Sequence, residues 1–232
     1  MRNLNELGQW ERLLKKILWE QLGDISGKRI LDFGSGQGIT ANHFAQKNEV
    51  VAVEPWSEML SDRWMDYEYE QKNGDIEEVM KMPDNSFDVV FCHNVLEYID
   101  EKSEVIKQLC RVLKPGGTMS IVKHNRAGRV MQMAVLLDDF EKANSLLDGK
   151  NSAASKFGAI RYYEDADIEK WEPQLSICRT YGIRTFWDLQ QNQEKHGDEL
   201  WQDNMAALEM RVSELPVYRE IAFFHHLLMV KQ

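Results

Sequence analysis

The chain predicts an α/β fold, a mostly parallel sheet with helices on both faces, and three observations carry that prediction. Short apolar runs alternate with amphipathic stretches over the first half of the sequence. The runs are mostly rich in Val, Ile, Leu or Phe, as strands covered on both faces require. One of them ends in a glycine-rich turn that opens into a helix.

The elements follow in order. Residues 5–22 place Leu7, Trp10, Leu13, Leu14, Ile17, Leu18 and Leu22 at three- and four-residue steps, the apolar face of a helix. Strands are predicted at 29–33, 50–54, 67–73, 87–92 and 118–123. Helices are predicted between them at 40–47, 57–66 and 101–113, the last with Val105, Ile106, Leu109, Val112 and Leu113 on one side. After Lys123 the alternation breaks. Residues 128–147 predict one helix with Val130, Met133, Ala134, Leu137 and Phe140 on a face, and a polar segment over 147–158 completes an insertion. A helix at 164–171, a strand at 176–186, a helix at 198–212 and a strand at 219–230 follow, so two late strands bring the sheet to seven.

Composition narrows the function. The 232 residues carry 28 Lys+Arg against 38 Asp+Glu, a formal net charge of -10, with 43% hydrophobic content and 3 Cys. No run approaches the roughly 18 apolar residues of a membrane helix, and residues 1–5 lack the apolar centre of a signal peptide, so the chain is expected to be cytoplasmic with no membrane partner. Cys92, Cys110 and Cys178 are far apart and never paired as CxxC, which argues against disulfides and a cysteine zinc site; no metal is expected. An acidic balance disfavours nonspecific nucleic-acid wrapping, because backbone binding replaces counterions with Lys and Arg. Residues 101–130 are locally basic, however, with seven Lys/Arg against two Glu.

The run Ile30-Leu31-Asp32-Phe33-Gly34-Ser35-Gly36-Gln37-Gly38 is an apolar strand ending in G-x-G-x-G. Such spacing lets the backbone turn sharply and approach a ligand closely. Glu54 ends the next strand twenty residues after Gly34, where a carboxylate can accept both hydroxyls of a ribose. Dinucleotide folds use G-x-G-x-x-G; here position 39 is Ile, and the third glycine comes one residue early, which fits a ligand without a pyrophosphate better than NAD. Asp75, in Gly74-Asp75-Ile76-Glu77, is either a second ligand acid, placed to accept from an adenine amine, or part of a plain turn.

The strand-GSGQG-helix unit, Glu54, GDI, FDVVFCHNVLEYI and LCRVLKPGGTMSIV together resemble the class I S-adenosylmethionine (SAM)-dependent methyltransferases over residues 30–122. The resemblance implies a Rossmann-like seven-stranded, mostly parallel sheet with the last strand antiparallel, a helical insertion after the fifth strand, and SAM at the carboxyl ends of the first strands. It places Asp32, Gly34, Gly36 and Gly38, with Ser35 in the same loop, at the methionine part, and Glu54 at the ribose. Pro55 and Trp56 follow beside the adenine, with Asp75 and Ile76. His93 and Asn94 face the methionine end and the methyl group. One domain over 1–232 is expected, divided into an N-terminal helix (1–24), a SAM-binding core (25–125), an acceptor-side insertion (126–160) and the remainder of the sheet (161–232).

FCHNVLEYI, residues 125–133, GIRTFWDL, ALEMR and the 218–230 tail resemble more closely the tRNA 5-carboxymethoxyuridine methyltransferases, which esterify a carboxylate on a wobble uridine. Three departures stand out: Ser35 where relatives often have Gly, Glu54 where they have Asp, and Leu14 where their first helix carries an Arg. Arg12 and Lys15 are the nearby cations that can replace it.

An ionised carboxylate acceptor needs no general base, only donors that hold it. Arg184, in GIRTF, is the first candidate for that clamp because a guanidinium grips a carboxylate bidentately; a surface strand arginine is the equal alternative. Arg126 and Arg161, with Tyr162 and Tyr163, are weaker candidates. For a phenol or amine acceptor, His93 or His124 would be the base. His225 and His226 alternate on the final strand and so cannot share a metal. Trp187 is read as core, with base stacking second. The competing functions are a small-molecule methyltransferase, which the net charge suits, a noncatalytic SAM-binding domain, and an NAD oxidoreductase.

Overall fold

The computed structural model describes residues 2–154 and 158–232. Helix α1 (Gln9–Leu22) precedes β1 (Arg29–Phe33), α2 (Ile39–Ala45), β2 (Glu49–Glu54), α3 (Ser57–Ser61), β3 (Glu70–Asn73), α4 (Ile76–Met80) and β4 (Phe87–His93). Next come α5 (Lys102–Val112), β5 (Leu113–His124), α6 (Arg126–Val135), α7 (Phe140–Leu147), β6 (Ser152–Ala154) and β7 (Gly158–Ile160). The chain closes with α8 (Asp165–Trp171), β8 (Leu175–Ile183), α9 (Glu199–Val212), α10 (Pro216–Arg219) and β9 (Phe224–Lys231).

The predicted fold class stands. Seven strands form one sheet in the order β3-β2-β1-β4-β5-β9-β8, and β9 runs antiparallel to both its neighbours. The chain winds outward from β1 to β3 and returns beside β1 as β4, so the strand order reverses between β1 and β4; ligands of such sheets bind at the carboxyl ends there. Alternate residues feed two cores. Leu31, Phe33, Val53, Val90 and Cys92 pack under α4, α5 and α8, which contribute Val79, Leu109 and Ile168. Ile30, Ala52, Val89 and Phe91 meet Ala41 and Phe44 of α2, while α1 packs Leu13, Ile17 and Leu18 against Ala206 of α9. Helix α1 stops where Gly23 turns left-handed at φ 70°, a conformation that costs glycine little.

Several expected boundaries shift for identifiable reasons. The single helix expected over 128–147 is two: Asp138 is left-handed at φ 52°, and Asp139 caps α7 by accepting from the Lys142 N–H at 2.9 Å. The helix expected over 57–66 ends at Ser61, and the strand expected from 67 starts at Glu70. Between them the backbone braces the glycine loop and the helix after it: the Trp64 N–H donates to the Gln37 carbonyl at 2.8 Å, and the Tyr67 N–H to Asn42 Oδ1 of α2 at 3.0 Å. Helix α4 and the β6–β7 ribbon were too short to show a period. Residues 155–157 of the expected polar segment lie outside the described residues. Strand β8 ends at Ile183 rather than 186 because Arg184 is left-handed at φ 64°, and α10 delays β9 to Phe224. Among the described residues no helix is long and apolar enough to cross a membrane.

Candidate active site

The glycine loop is shaped by three left-handed glycines, Gly34, Gly36 and Gly38, at φ 74°, 56° and 69°. A Cβ on Gly34 would lie 2.3 Å from Val95 Cγ2, and one on Gly38 2.1 Å from the Tyr69 hydroxyl, so packing as well as φ requires glycine at both. Gly36 differs, for nothing lies within 4 Å of its Cβ position, which opens into a cleft of about 310 Å³ at the strand-order reversal.

Phe33, Gly34, Gly36, Glu54, Pro55, Trp56, Met59, Asp75, Asn94, Val95, Tyr98 and Ile99 line this cleft. It therefore gathers seven of the sequence-predicted residues: Gly34, Gly36, Glu54, Pro55, Trp56, Asp75 and Asn94. Glu54 is 6% exposed and accepts from the Gly36 N–H at 2.8 Å and the Trp56 N–H at 3.0 Å, one bond per carboxylate oxygen. Those bonds fix its orientation and leave further lone pairs on both oxygens for paired hydroxyls. Asp75 caps α4 through the Glu77 N–H at 2.9 Å, so the turn and ligand-acid readings of it are compatible. Trp56 is 45% exposed at the rim.

Asp32, Ser35, Gly38, Ile76 and His93 do not line the cleft. Ile76 packs against the core beneath it. Asp32 lies buried under the loop; burial lifts its carboxyl to about 6, opposed by the charge of Lys15 and the Ala41 N–H, and its Oδ2 has no partner. Ser35 Oγ and Asn94 Oδ1 are also buried and unpartnered. Of the two cations near position 14, Lys15 is the one that lies beside the loop. Leu14 is buried in the core, and Arg12 turns away to Gln202 Oε1 at 2.7 Å and Asn5 Oδ1 at 3.0 Å. Lys15 Nζ reaches Thr40 Oγ1 at 2.8 Å beside the loop, and burial lowers its pKa against the pull of Glu11 and Asp32.

A second group of side chains gathers around the Phe223 ring, drawn from four separate parts of the chain. The Arg184 guanidinium lies 4.5 Å from the ring centroid and that of Arg129, on α6, 5.7 Å; the His124 ring is 5.4 Å away. Arg184 Nη2 donates to Asp188 Oδ1 at 2.7 Å, which also accepts from Gln132 Nε2 at 3.2 Å, and Arg129 bonds Gln132 Oε1. The surface-strand reading of Arg184 is thereby corrected: its side chain is 12% exposed and sits one residue past the strand. Arg184 thus pairs with Asp188 directly, Arg129 reaches it only through Gln132, and Nε of each arginine is buried without a partner. Burial lowers the Arg129 pKa most, Tyr162 opposes, Arg184 adds to the lowering, and Asp188 and Tyr98 raise it. Tyr98, which lines the cleft, thus also acts on Arg129 through its charge.

The remaining candidates are placed elsewhere or disabled. Arg126 donates to the Leu146 and Lys150 carbonyls and stacks on Tyr162 at 4.6 Å, while Arg161 pairs with Asp100 at 3.0 Å. Burial, then Arg129 and Arg184, press the His124 pKa down to about 3, and burial drives that of His93 well below its ordinary value, so neither accepts a proton near neutrality. Trp187 is core, stacked on His196 at 3.8 Å. His225 and His226 go to opposite faces, His225 to Asp165 and His226 to Gln21, and among the described residues no cluster of His, Cys, Asp or Glu could hold a metal. Sequence reading missed Arg129, whose signal was a cation inside an otherwise apolar helical face. It also missed Glu97, fully buried, which burial lifts to about 7 while the His124 N–H bonds its Oε1 and Oε2 has no partner.

Comparison with known proteins bears on both regions. Residues 31–121 match the methyltransferase domain family. The tRNA 5-carboxymethoxyuridine methyltransferase of Escherichia coli (strain K12) is 24% identical over 232 residues, covering 93% of this chain and 87% of its own. The ubiquinone biosynthesis O-methyltransferase of Klebsiella pneumoniae is 30% identical over 125 residues, covering 50% of this chain and 51% of its own. Among solved structures, the SAM-dependent methyltransferase from Mesorhizobium loti superposes with a TM-score of 0.58 at 14% identity, covering 99% of this chain and 100% of that one. One from Aquifex aeolicus gives 0.52 at 14%, covering 98% and 92%.

Proposed function

We propose that this chain, a SAM-dependent methyltransferase resembling the tRNA 5-carboxymethoxyuridine enzymes, methylates a carboxylate, and that the carboxylate is carried by a modified wobble uridine of tRNA. The observation that carries the acceptor class is the pair of neighbouring guanidiniums, Arg184 bonded to Asp188 and Arg129 bonded to Gln132, each with an unpartnered buried Nε–H. One positive charge is left over, and two donors with it, which suits a monoanion.

The cleft fits SAM. Its glycine loop leaves space at Gly36, the two Glu54 oxygens suit vicinal ribose hydroxyls, Asp75 suits an adenine amine and the exposed Trp56 ring an adenine face. Asp32 and Ser35 bring unpartnered oxygens and Lys15 a cation to the zwitterionic methionine end. When bound, SAM supplies a methyl group on a sulfonium, open to in-line displacement by a nucleophile about 3 Å away. The chain's own contribution is positioning. Arg184 and Arg129 hold the acceptor carboxylate. Because a carboxylate is already ionised at neutral pH, the low basicity of His93 and His124 is no obstacle, whereas a phenol or amine acceptor would find no base there.

The tRNA half of the proposal leans on the Escherichia coli relative, whose alignment covers 93% of the chain and so extends over the basin as well as the cleft. A second reading, a small-molecule acceptor, is favoured by the net charge of -10, which suits RNA less well, and by the O-methyltransferase match, which covers 50% of the chain and cannot span both regions. Mass spectrometry of tRNA nucleosides from cells lacking this protein separates them. Loss of a methyl ester on a wobble uridine is the expected outcome, and an unchanged nucleoside profile would return the acceptor to small molecules. A tRNA acceptor also places the reaction in the cytoplasm.

A further inference from the structure

A buried chain of hydrogen bonds crosses the sheet beneath the methionine end of the cleft. Gln21 Nε2, on α1, donates to the Gly182 carbonyl of β8 at 3.4 Å, and Gln21 Oε1 lies 2.7 Å from His226 Nδ1. His226 Nε2 lies 2.8 Å from Ser120 Oγ, and Ser120 Oγ 2.8 Å from His93 Nε2. Ser120 and His226 are fully buried, and His93 Nδ1 has no partner. Burial presses the His226 pKa down to about 3 and that of His93 well below its usual value, so both rings are neutral and each carries one N–H.

With one proton per ring, the direction of every bond follows from the end of the chain. The Gly182 carbonyl can only accept, so the Gln21 amide must turn its NH₂ toward it and its oxygen toward His226. His226 therefore carries its proton on Nδ1 and accepts at Nε2 from the Ser120 hydroxyl. The Ser120 oxygen is left to accept from His93, whose proton is thereby placed on Nε2. The remaining nitrogen, His93 Nδ1, is a lone pair with no bond. Asp32 pairs in register with Phe91, so His93, two residues on, is on the same face of the sheet as Asp32, one step nearer the carboxyl ends. Lys15 influences both groups.

We infer that Gln21, His226 and Ser120 are positioning residues that hold His93 as its Nε2–H tautomer, so that His93 Nδ1 accepts a hydrogen bond from the protonated amino group of the cofactor's methionine. This rests on SAM being the cofactor with its methionine end toward His93, as the resemblance implies; what it adds is the part played by Gln21, His226 and Ser120. The positive amino group then meets two acceptors, Asp32 Oδ2 and His93 Nδ1, while Lys15 is left for the carboxylate. A flipped Gln21 would reverse all the bonds and put the proton on His93 Nδ1, where it would repel the same amino group.

Long-range proton–nitrogen correlation spectra of the full chain, labelled with nitrogen-15 histidine, read the tautomers directly. His226 is expected as Nδ1–H and His93 as Nε2–H. On saturation with S-adenosylhomocysteine, which keeps the same amino acid end, the His93 Nδ1 signal is expected to move upfield while His226 stays. Ser120→Ala should lower S-adenosylhomocysteine affinity about 3- to 10-fold, the worth of one neutral hydrogen bond. Gln21→Met should release the His226 tautomer, and Gln21→Glu should retain it. A His93 Nδ1–H tautomer, or a His93 Nδ1 signal that responds to Lys15→Met but not to saturating S-adenosylhomocysteine, overturns the inference alone. Absence of any S-adenosylhomocysteine binding overturns it together with the cofactor assignment.

Discussion

In the cofactor cleft the shaping contacts come from backbone: three left-handed glycines, and N–H groups of Gly36 and Trp56 on Glu54. Around Phe223 they come from side chains, with Arg129 on α6, Arg184 past β8, His124 at the end of β5 and Asp188 in the following turn. The cleft is assembled within residues 33–99, the basin from segments scattered over the second half of the chain. A site made of backbone keeps one ligand while the sequence around it changes. A site made of side chains, as proposed for the acceptor, can exchange its ligand through a few substitutions.

The division can be broken experimentally. The largest effect is expected for Arg184→Ala, which should lower kcat/KM for a carboxylate acceptor about 100-fold, the worth of a hydrogen bond to a charged group, while changing the SAM Kd less than about twofold. Arg184→Lys should recover only part of that loss, because an ammonium keeps the charge but not the fork. Equal losses in SAM binding by calorimetry would show that the basin and cleft are one site. Glu54→Ala should do the reverse, raising the SAM Kd about 10- to 30-fold and freeing the Gly36 and Trp56 N–H groups; an unchanged Kd would sink the ribose assignment. Arg129→Gln should cost about 10-fold in kcat/KM, and combined with Arg184→Ala should cost less than the product of the two, since both act on one ligand group.

The smallest effect concerns stability. Burial lifts Glu97 to about 7, so the folded protein keeps this proton to higher pH than the unfolded chain, whose ordinary value is near 4. The contribution is complete below about 4 and is lost as pH rises through about 7. Glu97→Gln keeps the oxygen that accepts from His124 and should flatten the decline. Above pH 7 it should raise Tm by about 2–4 °C, and a lowered Tm there would show that the ionised form is the stabilising one.

What the sequence made legible follows the same division. Glycine spacing, the strand before it and the acid twenty residues later are local patterns, so the position of the cleft could be read directly. The basin could not, because its members meet only after β5, β8 and β9 pair. Arg184 was found through a motif, but Asp188, which grips it four residues later, drew no notice. Arg129 was hidden because its helix reads as apolar. Helix geometry explains the ambiguity at position 14: successive residues point about 100° apart, so only the seating of α1 decides that Leu14 enters the core while Lys15 meets Thr40. The break at Asp138 was invisible because apolar spacing continues across it.

Gly128 lies at the first turn of α6, one residue before Arg129, with its backbone against the turn that leads into β9. A Cβ there would come 2.1 Å from the Ala222 carbonyl oxygen, against an ordinary contact of 3.4 Å or more. Any side chain at this position therefore acts as a shim that lifts the start of the helix by about 1 Å, and a misplacement of that size can cost about 100-fold in rate. On the acceptor role proposed for Arg129, methyl transfer can consequently be weakened by spacing alone, with the arginine itself left unchanged.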